Sequence, residues 1–221
     1  MSVKERLKQN WDYLTDFEHT RKRPFFEKAG IVLAVLVIDL LYVILMIQFL
    51  QWLLGYDIFA KWAFWGWANG SNVMKQLQVS ITVSAMSLAV SILFAVIIAP
   101  LWEETVFRLL PLRFGLRYRD KEQELHPGIT EKIGKFPVWL LILVVCFIIF
   151  GLAHGGPLNL FIQGVGGLFL AYVYLRNGRS FWSAVALHAL YNGVIVAAVY
   201  TGTVKSLIAA ITMPYWIVLF Q

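Results

Sequence analysis

A single cysteine, Cys146, sits within an apolar run. It excludes an intramolecular disulfide framework, and packing is its expected role. Charge is also scarce: 14% of the 221 residues are charged, against about 25% in an ordinary soluble domain. Hydrophobic residues make up 59% of the chain, and the mean hydropathy is strongly positive. This balance excludes a soluble globular domain and predicts an all-α, polytopic helical membrane protein. No internal repeat, low-complexity linker or second composition marks a further domain.

Acidic groups are the scarcer charge, 13 against 19 basic ones, for a net charge of +6. The location of the basic residues excludes the nucleic-acid face that such an excess would otherwise suggest. Seven lie before residue 30, six between Arg113 and Lys135, and two at Arg176 and Arg179, whereas Lys61, Lys75 and Lys205 occupy the alternate loops. Fifteen against three in alternating loops is the positive-inside pattern of a membrane protein. It puts the N- and C-termini in the cytoplasm.

Residues 1–29 read as a cytoplasmic, amphipathic N-terminal tail. They do not read as a secretory signal, because nearly thirty mostly polar residues precede the first apolar run. About six transmembrane helices are expected. The first covers Gly30 to Leu54 and the second starts near Leu77 and runs to about Leu116. The third covers Phe136 to His154, the fourth Leu158 to Leu175, the fifth Phe181 to Tyr200, and the sixth Val204 to Phe220. Residues 55–76 read as an aromatic-rich external loop at the headgroup level. At about 40 residues the second run exceeds one crossing of roughly 20. Pro100 and Pro111 suggest a break or kink, with the middle of the run as an extra short helix.

That middle holds Glu103, Glu104 and Arg108. An ionisable side chain at mid-bilayer costs roughly 2.5–3.5 kcal/mol and normally faces a protein interior or a wet cavity. On a helix, Glu104 and Arg108 share a face and can pair, while Glu103 points about a quarter-turn away. Glu104 is then a structural partner of Arg108, and Glu103 is free to face a cavity as a general base. Phe150 and His154 end the third span, and His188 and Asn192 lie four apart in the fifth. Each of these polar residues has a bland reading as a hydrogen-bonded packing group, but together they satisfy one another only by converging. Asp39 in the first span has two readings: neutral or paired with another helix, or bordering the same cavity.

The motifs Glu103-Glu104…Arg108, Phe150…His154 and His188…Asn192 occur in the order Glu-Glu-x-x-x-Arg, Phe-x-x-x-His, His-x-x-x-Asn. In them, and in the stretch from Ala171 to Asn192, the chain resembles the CPBP (CAAX protease and bacteriocin-processing, or Abi) family of intramembrane endopeptidases. The resemblance covers about residues 77–200. Many members carry glycine after the arginine, where this chain has Leu109.

The resemblance implies a single transmembrane peptidase domain over residues 30–221. In it Glu103 and His154 activate water, His188 and Asn192 hold the oxyanion, and Glu104, Arg108 and Phe150 support them. The implied substrate is a membrane-associated peptide or protein: a prenylated CAAX-like C-terminus, a peptide pheromone, a bacteriocin or a leader peptide. The metal-free glutamate mechanism is preferred over Zn²⁺. If a metal takes part, its ligands are Glu103, His154 and His188. The rival functions are a non-catalytic membrane protein for bacteriocin self-immunity or partner scaffolding, and a small transporter. The short chain and its loop charges suggest a prokaryotic cell membrane.

Simple span counting raises one geometric problem. It leaves Glu103 and His154 near opposite ends of their helices, on the order of 20 Å apart. Either the Glu-Glu helix dips back into the bilayer after Pro100, or the third span begins near Ile133 and carries His154 to mid-depth.

Overall fold

A computed structural model describes Glu5 and residues 23–55, 89–90, 92–114, 132–133 and 136–200. The external loop after Gly55, the sixth span, most of the N-terminal tail and the first part of the second run lie outside the described residues.

Helix α1 (Phe25–Leu54) begins after Pro24, whose fixed φ of −63° suits a helix entry, and it ends at Gly55 with φ 75°. At 30 residues it extends about 45 Å, enough to cross a bilayer with tilt. Its two faces divide by partner: Val32, Val35, Leu36, Asp39 and Val43 point into the protein, whereas Leu33, Val37, Ile38, Leu41 and Leu45 point outward. Large apolar side chains directed away from the protein are what a lipid solvent requires.

The Glu-Glu segment is a continuous helical stretch and does not break. A π turn (Phe94–Ile98) leads into α2 (Ala99–Glu104), a second π turn (Thr105–Leu109) follows, and α3 (Leu110–Phe114) ends it. Pro100 and Pro111 therefore do not create the separate short helix that the sequence suggested. Proline cannot donate an N–H, and its ring crowds the carbonyl four residues back. In both cases that carbonyl, of Val96 or of Phe107, belongs to a π turn, where the backbone pairs five residues apart. The Ala99 N–H bonds Phe94 O and the Leu110 N–H bonds Thr105 O, one residue before each proline.

An antiparallel pair, β1 (Lys132–Ile133) with β2 (Phe136–Pro137), precedes α4 (Val138–Ala153). The third apolar segment is thus shorter than the span expected from Phe136 to His154, because Phe136 and Pro137 are drawn into the strand pair. After α4 the chain turns through Gly155, whose φ of 144° excludes other residues. It then forms a 3₁₀ turn (Pro157–Leu160) and α5 (Gln163–Arg176). A tight turn at Asn177-Gly178-Arg179 reverses the chain into α6 (Phe181–Tyr200).

Among the described residues three helical stretches are long and apolar enough to cross a membrane: Phe25–Leu54, Pro157–Arg176 and Phe181–Ala198. Leu140–Ala153 is apolar but shorter. The protein is an integral membrane protein of helices, with half of the expected six spans present as full-length apolar helices among the described residues.

Small residues decide how closely these helices approach. A Cβ added at Gly164 would lie 3.0 Å from the Phe147 ring and carbonyl, so α5 seats its backbone on α4. The resulting core gathers Val32, Val35 and Leu36 of α1, Phe150 of α4, Leu170 and Val173 of α5, and Leu187 of α6. The same end of the bundle is stitched by polar bonds. Fully buried Asn177 donates to Lys28 O at 3.2 Å, and Arg23 Nη1 donates to Arg176 O at 3.2 Å. The basic start of α1 and the basic α5–α6 turn therefore lie together.

Candidate active site

The two adjacent carboxylates occupy different environments. Glu104 is fully buried, and its Oε1 accepts from Arg108 Nη1 at 3.1 Å, the pairing that their four-residue spacing predicts. Arg108 is equally buried and donates through Nη2 to Gly167 O at 2.9 Å, while its guanidinium carbon stands 4.4 Å over the Phe150 ring. The charge is thus held by a carboxylate, a carbonyl and an aromatic face, three partners suited to a guanidinium. Gly167 permits this close approach, because a Cβ there would meet both Arg108 Nη2 and Phe150 Cδ1 at 3.0 Å.

Glu104 has a second partner that its position in the sequence did not show. His188 Nδ1 on α6 lies 2.9 Å from the same Oε1. An ionised carboxylate only accepts, so Nδ1 carries the proton and the opposite nitrogen, Nε2, faces away from Glu104. His154 is oriented by the same logic. Its Nδ1 donates to Phe150 O at 2.7 Å, one helical turn back, and its ring lies tilted against that of Phe150, the centroids 4.4 Å apart. Asn159 donates to the His154 carbonyl at 3.2 Å and ties down the turn that follows.

Both free Nε2 atoms converge on Glu103. His154 Nε2 lies 3.4 Å and His188 Nε2 3.7 Å from Glu103 Oε2, an oxygen with no hydrogen bond of its own among the described residues. The Glu103 and His154 side chains keep 21% and 25% of their surface accessible, against 6% for His188. Glu103 and His154 therefore line an accessible face, and His188 stands behind them. The 20 Å separation inferred from span counting is absent. The three-residue turn after α4 and the seating of α5 on α4 bring the end of one helix to the middle of another.

Asn192, one turn beyond His188, donates Nδ2 to Ala95 O at 2.8 Å. Ala95 belongs to the first π turn, so the Asn192 amide bonds the stretch that leads into Glu103. One amide N–H is committed there, and a primary amide carries two.

Asp39 is buried beside this cluster, with Oδ1 unpartnered among the described residues. It lines a cavity together with Val43, Phe150, Ile162, Gln163, Gly166, Leu170, His188 and Tyr191. Asp39 therefore borders the polar centre, and no helix supplies it an ion-pair partner among the described residues. Tyr191, Gln163, Asn159 and the Gly167 carbonyl are site elements that the motif spacings did not reveal. Tyr191 carried a weak signal, since it lies between His188 and Asn192.

Three motif segments, on α2 with the π turn after it, on α4 and on α6, thus join into one polar cluster inside an apolar bundle, with a partly accessible carboxylate facing two oriented imidazoles. Among the described residues no group of three or more His, Cys, Asp or Glu is arranged to hold a metal ion. Fold and site together define a helical membrane protein with a buried Glu/His cluster. The family model described as type II CAAX prenyl endopeptidase Rce1-like matches residues 84–194, just over half of the chain. The chain belongs to that family and with it to the membrane-embedded endopeptidases. No curated protein and no solved structure matches the chain.

Proposed function

We propose that this protein hydrolyses a peptide bond of a membrane-associated peptide or protein, with Glu103 as general base and no bound metal required. The observation that carries the reading is the meeting of His154 Nε2 and His188 Nε2 at Glu103 Oε2, 3.4 and 3.7 Å away. A water at the accessible face of Glu103 can donate one hydrogen to the carboxylate and the other to neutral His154 Nε2. Both are acceptors directed at one place.

The water oxygen attacks the scissile carbonyl carbon as Glu103 takes its proton. The tetrahedral intermediate then collapses with cleavage of the C–N bond, and the Glu103 carboxylic acid returns the proton to the departing amine. General-base assistance of this kind contributes about 10²–10⁴-fold. The oxyanion is held by the second N–H of Asn192 and by His188, which donates from Nε2 when both ring nitrogens carry a proton. One such donor is worth about 10²–10³-fold. The substrate class that fits the family is a prenylated C-terminus or a short membrane-bound peptide.

The test compares new peptide termini in membranes carrying the wild-type chain or Glu103→Ala at matched levels. Cleavages present only with the wild type, and unaffected by a chelator, support the reading and name the substrate. Chelator-sensitive cleavage replaces the metal-free step by a metal-bound water. Identical terminus profiles overturn the peptidase reading and leave a binding role, such as self-immunity or scaffolding.

A further inference from the structure

A carboxylate in the first membrane-spanning helix needs an account, and the motifs leave Asp39 out. Its residue surface is 4% accessible, and Oδ1 has no partner among the described residues. The cavity it faces is walled by Val43, Phe150, Ile162 and Leu170 and by the His188 ring, and Asp39, Gln163 and Tyr191 also line it. About 10 Å³ is open to the centre of a water-sized molecule. One water needs roughly that much space and two to four polar partners. The cavity has about that space, and Asp39, Gln163 and Tyr191 in its lining are the candidate partners.

The position of this cavity gives the water a use. His188 forms part of its wall, and the Nε2 of the same ring faces Glu103 Oε2 at 3.7 Å. Phe150, also in the wall, lies tilted against His154. The cavity and Glu103 thus meet at the same imidazole, and Phe150 is shared between the cavity and His154. Hydrolysis consumes a water per turnover, and lipid surroundings hold none.

We propose that the Asp39 cavity is a hydration site that stores water on the α1 side of His188 and supplies it to Glu103. The proposal rests on the hydrolytic reading above. The water moves intact, and no bond forms or breaks in the cavity. Asp39 is a positioning residue in this scheme, since it touches neither the substrate nor the attacked carbon.

Gly166 offers a direct test. A Cβ built there lies 3.6 Å from Asp39 Oδ1 and 3.8 Å from Oδ2, ordinary contact distances, and meets nothing closer. Gly166→Ala therefore adds a methyl to the cavity without forcing a neighbour to move. Magnetisation transfer from water to the His188 ring is read by NMR in histidine-labelled protein in nanodiscs, beside kinetics on the peptide identified by the Glu103-dependent cut. Expected are transfer at His188 in the wild type, its loss in Gly166→Ala, and a fall in kcat of about tenfold with KM unchanged. Asp39→Asn, which keeps an accepting oxygen, is expected to retain the transfer and most of kcat, whereas Asp39→Leu loses both.

Absence of transfer in the wild type, or transfer and kcat unchanged in Gly166→Ala, overturns the proposal. A raised KM at constant kcat overturns it in favour of a site for a substrate group. Hydration lost in Gly166→Ala in a protein that shows no Glu103-dependent cleavage overturns the peptidase reading, and the proposed use of the water with it.

Discussion

His188 Nδ1 and Arg108 Nη1 share a single oxygen, Glu104 Oε1, at 2.9 and 3.1 Å. One buried carboxylate therefore does two things: it neutralises the guanidinium on its own helix and fixes the imidazole on α6. Removing it has two separable effects. Glu104→Ala leaves Arg108 buried without its counter-charge and is expected to destabilise the protein by about 3–5 kcal/mol. Glu104→Gln keeps the shape and a hydrogen bond, so its thermal unfolding in detergent shifts less, while cleavage falls about 10–100-fold as His188 loses its orienting charge. Equal unfolding temperatures for Glu104→Ala and wild type would show that Arg108 finds another partner.

The neighbouring carboxylate is expected to behave in the opposite way. Glu103 Oε2 makes no hydrogen bond among the described residues, and a fifth of its side chain is accessible. Glu103→Gln should leave the unfolding temperature within about 1–2 °C of wild type, because Oε2 has no hydrogen bond to lose. Turnover should drop by about 10²–10⁴-fold. Parallel unfolding and cleavage measurements on the Glu103 and Glu104 variants distinguish the two roles; loss of stability in Glu103→Gln counts against the division.

Gly167 is a packing prediction tied to the site. Its missing Cβ leaves room for Arg108 Nη2 and Phe150 Cδ1, each of which would otherwise stand at 3.0 Å. Gly167→Ala is expected to cost about 1–3 kcal/mol by overpacking, seen as a lower unfolding temperature. Because Phe150 also carries His154, cleavage falls together with stability. Gly193, whose added Cβ meets nothing within 4 Å, serves as the control. Gly193→Ala should leave both unchanged.

Asn192 links α6 to the π turn ahead of Glu103 through Ala95 O. Asn192→Ala loses that bond, for about 1 kcal/mol of stability, and the donor assigned to the oxyanion, for about 10²–10³-fold in kcat. Asn192→Asp retains the side-chain volume but only accepts when ionised, so it should be no better than alanine in cleavage assays. Wild-type turnover in either variant would remove Asn192 from the oxyanion site.

The amino-acid sequence determined the relationships that live within one helix. The Glu104–Arg108 pair, the shared faces of Phe150 with His154 and of His188 with Asn192, and the lipid-facing apolar stretches follow from a 3.6-residue period and from hydropathy, both local properties. The tertiary structure decided relationships between helices. Glu103 and His154 meet across 51 positions, Glu104 and His188 across 84, and Asn192 and Ala95 across 97. None of these distances follows from spacing, because the depth and rotation of one helix against another depend on how closely their surfaces pack. Here those surfaces are set by Gly164 and Gly167 on α5 and by the turn at Gly155. The continuity of the Glu-Glu helix through Pro100 and Pro111 was likewise hidden, since a proline reports a lost hydrogen bond but not the π turn that accommodates it. Asp39 was visible as an anomaly from its charge alone. Its placement against His188 came only from the packing of α1 on α5 and α6.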